Sequence, residues 1–145
     1  MIVGSVRTSL LSLSFPLISK YVLAGFPSPG ENYLDTGIDL NEELIRHPSS
    51  TFFLRVRGES MRNAGILDGD LLVVDRSLTP RPGDVVVAIV NGSFIVKRLT
   101  YRKKISYLES EHPNYPAINL SHYESIQIWG VATFSIHKLS RRTQK

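Results

Sequence analysis

The chain is predicted to be mainly β: a compact antiparallel β domain behind a flexible N-terminal arm. Three observations predict this. From Thr51 onward, short apolar runs recur at close spacing with turn residues between them. Asn91-Gly92 stands between two such runs and is a strong hairpin signal, because a type I′ turn needs positive φ at both central positions. Residues 1–50 show no sustained period and carry Pro16, Pro27, Pro29 and Pro48, which predicts an arm with only short local structure, mobile in part.

In chain order, strands are expected over residues 52–57, 71–75, 84–90, 93–101, 105–108 and 126–136. Thr79-Pro80-Arg81-Pro82-Gly83 forms a turn, and His112-Pro113-Asn114-Tyr115-Pro116 begins a loop. The Asn91-Gly92 hairpin places Lys97 on its second arm. The long apolar run around Trp129 suits a strand that closes the core and contributes to a dimer contact.

Composition sets the outer bounds. A length of 145 residues favours one domain with a proper core. With no cysteine, disulfides, thiolate metal sites and cysteine nucleophiles are excluded, which fits a reducing cytoplasm. The formal charge of +4 is spread along the chain, so direct nucleic-acid binding is expected to be weak or absent. No run of eighteen apolar residues marks a membrane span.

The chemistry centres on Ser60 and Lys97. Ser60 lies in Gly58-Glu59-Ser60-Met61, just past an apolar run. Lys97 interrupts Phe94-Ile95-Val96-Lys97-Arg98-Leu99 and shares its alternation face with Ile95 and Leu99. A lysine among apolar side chains loses preference for its charged form, and a neutral lysine can take a proton from a serine hydroxyl. Taken alone, a serine after Gly-Glu is an ordinary turn residue, and a strand lysine often sits at an edge or reaches to water. Together they read as a serine–lysine dyad. Backbone N–H groups of Ser60 and Met61 are the candidate oxyanion donors. Ala24-Gly25 is the expected scissile bond: Gly25 offers no side chain to obstruct attack, Ala24 needs a small pocket, and Pro27 and Pro29 favour an extended chain.

Several motifs in one order resemble the UmuD-type accessory subunits of error-prone DNA polymerases, members of the LexA-type autoprotease superfamily. Ala24-Gly25-Phe26-Pro27-Ser28-Pro29 resembles the cleavage segment and Gly58-Glu59-Ser60-Met61 the nucleophile turn. Asp68-Gly69-Asp70 with the strand after it, then Gly83-Asp84-Val85-Val86-Val87-Ala88, match the segments leading to the lysine strand. The resemblance runs from about residue 23 to about residue 131. It implies a serine endopeptidase that cuts its own chain without cofactor or metal. The arm 1–24 would be removed, 25–50 would be an extended linker, and 51–145 the autoprotease domain. It also implies a cytoplasmic homodimer, stimulation by a RecA–single-stranded DNA filament, and a UmuC-like Y-family DNA polymerase as partner in the SOS response.

A LexA-like repressor inactivated by the same cleavage is the alternative. It needs a helix-turn-helix module ahead of the cut, for which the 24 residues before Gly25 are too few. A leader peptidase acting on other proteins would be expected to carry a membrane anchor. Val22-Leu23-Ala24 also satisfies the small-residue rule for signal-peptide cleavage, but Pro16, Ser12, Ser14 and Lys20 spoil the preceding apolar stretch. Asp68, Asp70 and Asp75 are read as turn residues rather than metal ligands. His47, His112, His122 and His137 lack ligand spacing and are expected to be solvent or loop histidines.

Overall fold

A computed structural model describes residues 13–18, 22–25, 35–122 and 125–141. The chain divides into two units, Met1–Ile45 and Arg46–Lys145.

In the first unit, β1 (Phe15–Ile18) pairs antiparallel with β2 (Asp35–Ile38), Phe15 opposite Ile38 and Ile18 opposite Asp35. A Cβ on Gly37 would overlap the Ser14 hydroxyl, so a larger residue there would require that side chain to turn away. Helix α1 (Leu40–Leu44) follows, capped by Asp39, whose carboxylate accepts the Asn41 N–H at 2.9 Å. These strands were absent from the expected set. Four residues on each side are too few to show a period. Residues 1–12 and the 26–29 part of the expected cleavage segment lie outside the described residues.

Among the described residues the second unit holds one antiparallel sheet of seven strands. They are β3 (Thr51–Arg55), β4 (Leu71–Asp75), β5 (Val85–Val90), β6 (Ser93–Arg102), β7 (Ile105–Glu109), β8 (Ile118–Asn119) and β9 (Gln127–Ile136). Their spatial order is β3-β4-β9-β5-β6-β7-β8. The expected mainly β, antiparallel fold is the one found. β4 has the expected bounds, whereas β3 ends at Arg55, with Val56 still exchanging backbone hydrogen bonds with Gly69 and Asp70 beyond it. Two-residue β8 was not anticipated.

Two apolar clusters hold the sheet. Val56, Met61, Ile66, Leu72, Val74 and Val87 form one. Val86, Ala88, Leu99, Leu108 and Val131 form the other. Successive β5 residues alternate between them, so the centre of the sheet is buried on both faces, which is why β5 reads as a continuous apolar run. The β5–β6 hairpin turns on Asn91 (φ 50°) and Gly92 (φ 80°), the positive pair a type I′ turn requires. The β6–β7 hairpin turns the same way on Lys103 (φ 50°) and Lys104 (φ 67°), neither of which is a glycine.

Asp70, just before β4, and Asp75, its last residue, are buried. Asp75 meets the Nδ1 of His47 at 2.6 Å and accepts from Ser50 and Ser77. Asp70 meets the Nδ1 of His137 at 2.5 Å and accepts from the Leu67 N–H and the Ser135 hydroxyl. His47 and His137 are thus more than the solvent or loop histidines expected: each is half-exposed and pinned by a buried carboxylate.

Candidate active site

The segment carrying Ser60 is shaped by its neighbours on both sides. After β3 the chain turns at Gly58, whose φ of 99° a residue with a Cβ rarely adopts. The Gly58 N–H donates to the Asp68 carboxylate at 2.7 Å, so the Asp-Gly-Asp turn before β4 clasps the loop that carries Ser60. Beyond Ser60, Met61 is sunk in the core at 2% exposure, and a 3-10 turn (Arg62–Ala64) follows. Ser60 is therefore held between a clasped glycine and a buried methionine. Its backbone N–H and that of Met61, the expected oxyanion donors, belong to the bend that leads into this 3-10 turn.

Lys97 arrives from β6, opposite Val86 of β5. Its Nζ is 3.3 Å from the Ser60 Oγ, although the two residues are 37 apart in sequence. The same ammonium donates to the Ser110 Oγ at 2.5 Å and stands 5.5 Å from the centre of the Tyr115 ring. Both Ser60 and Lys97 are half-buried. Burial pushes the Lys97 amine below the usual lysine range, because desolvation penalises the ammonium more than the amine. A neutral fraction at accessible pH is what a general base requires.

The two residues face a cleft of about 320 Å³, with apolar walls from Leu54, Val56, Met61, Leu72, Val87 and Phe94. Arg55 and Arg57 also line it. Such a cleft suits an extended apolar chain segment. Ala24 and Gly25 belong to the other unit, where they form an exposed bend; Val22 just before them is 93% exposed. A Cβ built on Gly25 would meet open space.

Ser110 was missed by sequence reading, since nothing about a serine at the end of an apolar strand marks it. Among the described residues, no group of three or more His, Cys, Asp or Glu is placed to hold a metal ion. Asp68, Asp70 and Asp75 instead receive the hydrogen bonds described above. No helix among the described residues is long and apolar enough to cross a membrane.

Comparison with known proteins agrees with the motif order. Residues 16–133 match the peptidase S24-like family. This chain belongs to that family. It is 44% identical over 123 residues to Protein SamA of Salmonella typhimurium, covering 85% of each chain. To Protein ImpA of Escherichia coli it is 46% identical over 125 residues, 85% of this chain and 83% of the relative. The S24-like region also resembles the LexA repressor of Shewanella sediminis, at 40% identity over 121 residues, 83% of this chain but 58% of the repressor. Ser60 and Lys97 both fall inside the matched region, as do Ala24 and Gly25.

Proposed function

We propose that this protein is a self-cleaving serine endopeptidase of the UmuD type, cutting its own Ala24-Gly25 bond. The observation that carries the reading is the 3.3 Å approach of the Lys97 Nζ to the Ser60 Oγ at an apolar cleft. Neutral Lys97 takes the hydroxyl proton as the Ser60 Oγ bonds to the Ala24 carbonyl carbon. The tetrahedral oxyanion is met by backbone N–H groups of Ser60 and Met61. On collapse the carbon–nitrogen bond breaks, and Lys97 returns the proton to the departing Gly25 amine. Water, deprotonated by Lys97, then hydrolyses the Ala24 ester and frees Ser60.

The arm 1–24 leaves, 25–50 becomes a linker, and 51–145 remains as the catalytic domain. The truncated, cytoplasmic homodimer acts as the accessory subunit of a UmuC-like Y-family polymerase in SOS mutagenesis. A RecA–single-stranded DNA filament stimulates cleavage by favouring the docked arm, a population shift. Its support is the motif order together with 44–46% identity to SamA and ImpA over 85% of the chain.

A LexA-like repressor is the second reading, favoured by the 40% identity to a protein of that name. Mass spectrometry of purified protein held at alkaline pH tests the chemistry. A fragment starting at Gly25, absent from the Ser60→Ala variant, is expected. An intact chain, or a cut elsewhere, would sink the assignment. Operator binding by the uncut chain, with no association between the cut product and a Y-family polymerase, would favour the repressor.

A further inference from the structure

Lys97 has a closer partner than Ser60. Its Nζ lies 2.5 Å from the Ser110 Oγ against 3.3 Å from the Ser60 Oγ. The position of Ser110 follows from strand register. The β6–β7 ladder reaches Arg98 opposite Glu109, so Lys97 and Ser110 come next, facing each other just past the end of β7. The following residue, Glu111, is bound on two sides. Its carbonyl accepts the Asn63 N–H at 2.9 Å, three residues beyond Ser60. Its carboxylate takes the Arg98 Nε at 2.5 Å, one residue beyond Lys97. The Ser110-Glu111 dipeptide therefore touches the nucleophile segment, the lysine strand and the lysine nitrogen together.

We propose that Ser110 is a positioning residue for the general base, with Glu111 fixing its loop between the two catalytic segments. This rests on the dyad reading above. A neutral amine has two hydrogens and one lone pair. When the Ser110 oxygen accepts one hydrogen, rotation about the Cε–Nζ bond is restricted, and the lone pair can be held toward Ser60. Without that acceptor the amine samples other rotamers, and fewer encounters have the geometry for proton transfer. The same oxygen accepts more strongly from an ammonium than from an amine. Ser110 therefore also favours the charged form, against the effect of burial. Other groups facing Lys97 or lining its cleft are the Tyr115 ring, Arg55 and Arg57, while Arg98 and Glu111 pair with each other. None of these is altered by changing Ser110.

The test is the pH–rate profile of spontaneous self-cleavage in the full chain, read as the appearance of the fragment starting at Gly25. For Ser110→Ala, the high-pH plateau should fall about 10- to 100-fold. Its midpoint should move to lower pH. Ser110→Thr and Ser110→Val have nearly the same shape and differ by a hydroxyl, which separates hydrogen bonding from packing if the alanine variant folds poorly. The threonine variant should recover most of the lost rate, and the valine variant should not. Equal rates for threonine and valine, or a lowered plateau with an unmoved midpoint, would overturn the positioning role and leave the dyad standing. Undiminished cleavage by Lys97→Ala, run alongside, would overturn the dyad itself and the positioning role with it.

Discussion

Asp68 accepts the Gly58 N–H at 2.7 Å across ten residues, joining the loop that carries Ser60 to the turn that starts β4. The bond gives the Gly58 N–H a partner just beyond the last backbone bonds of the pairing, those of Val56 with Gly69 and Asp70. Asp68→Ala should slow self-cleavage about tenfold or more through a loosened Ser60, while costing only about 0.5–1.5 kcal/mol of stability. Asp68→Asn retains an acceptor oxygen and should stay close to wild type. Cleavage rates and thermal melts of the two variants check this; equal rates for alanine and wild type would refute it.

The lowered Lys97 pKa has a kinetic counterpart. Only the neutral amine is a base, so the cleavage rate should rise with pH and level off once Lys97 has titrated. On the rising limb the slope should be about tenfold per pH unit. Lys97→Arg should be inactive throughout, because a guanidinium does not deprotonate in proteins. A flat profile between about pH 6 and 10 would mean that another group is the base.

Acid should loosen the larger unit. Burial alone would raise the Asp75 carboxyl, but hydrogen bonds from Ser77, His47 and Ser50 outweigh it and hold the group well below its ordinary value. Asp70 is lowered in the same way by the Leu67 N–H, His137 and Ser135, again against burial. A carboxyl depressed in the folded state contributes stability that is complete above its unfolded pKa of about 3.9 and lost as pH falls toward the folded value. Chemical denaturation should therefore show stability dropping below about pH 4. Asp75→Asn should cost about 1–3 kcal/mol at pH 6 and flatten that acid dependence. A variant with wild-type acid sensitivity would exclude Asp75 as a source.

The β6–β7 turn offers a stabilising change. Lys103 and Lys104 both hold positive φ, at a cost of about 1–2 kcal/mol per residue for side chains with a Cβ. Replacing the pair by Asn-Gly, the residues that make the β5–β6 turn, should raise stability by about 1–2 kcal/mol in urea unfolding and leave cleavage unchanged. No gain would mean that the lysine pair is not strained.

Much of this was readable before folding. The β5–β6 hairpin was legible because Asn-Gly encodes its turn locally, and β4 because five apolar-rich residues are bounded by turn signals. Lys97 was conspicuous as a cation in an apolar strand. The rest depends on contacts with no local signature. His47 reaches Asp75 across 28 residues and His137 reaches Asp70 across 67, so spacing along the chain could not disclose either pair. Ser110 acquires its partner from strand register, and register is fixed only when the sheet assembles. β1 and β2 pair over four residues apiece, below the length at which alternation can be distinguished from chance.

The Ala24-Gly25 bond lies in the connection between β1 and β2. While the chain is whole, that connection keeps the two strands at a high effective concentration, of the order of millimolar for a short tether. Scission would turn the pairing into a bimolecular one between a detached 24-residue peptide and the remaining protein. A two-stranded ladder of four residues is marginal in water even when tethered. Dilution alone would then drive the peptide off and make the cut irreversible in practice. It would leave the hydrogen-bonding edge of β2 vacant for whatever chain arrives next.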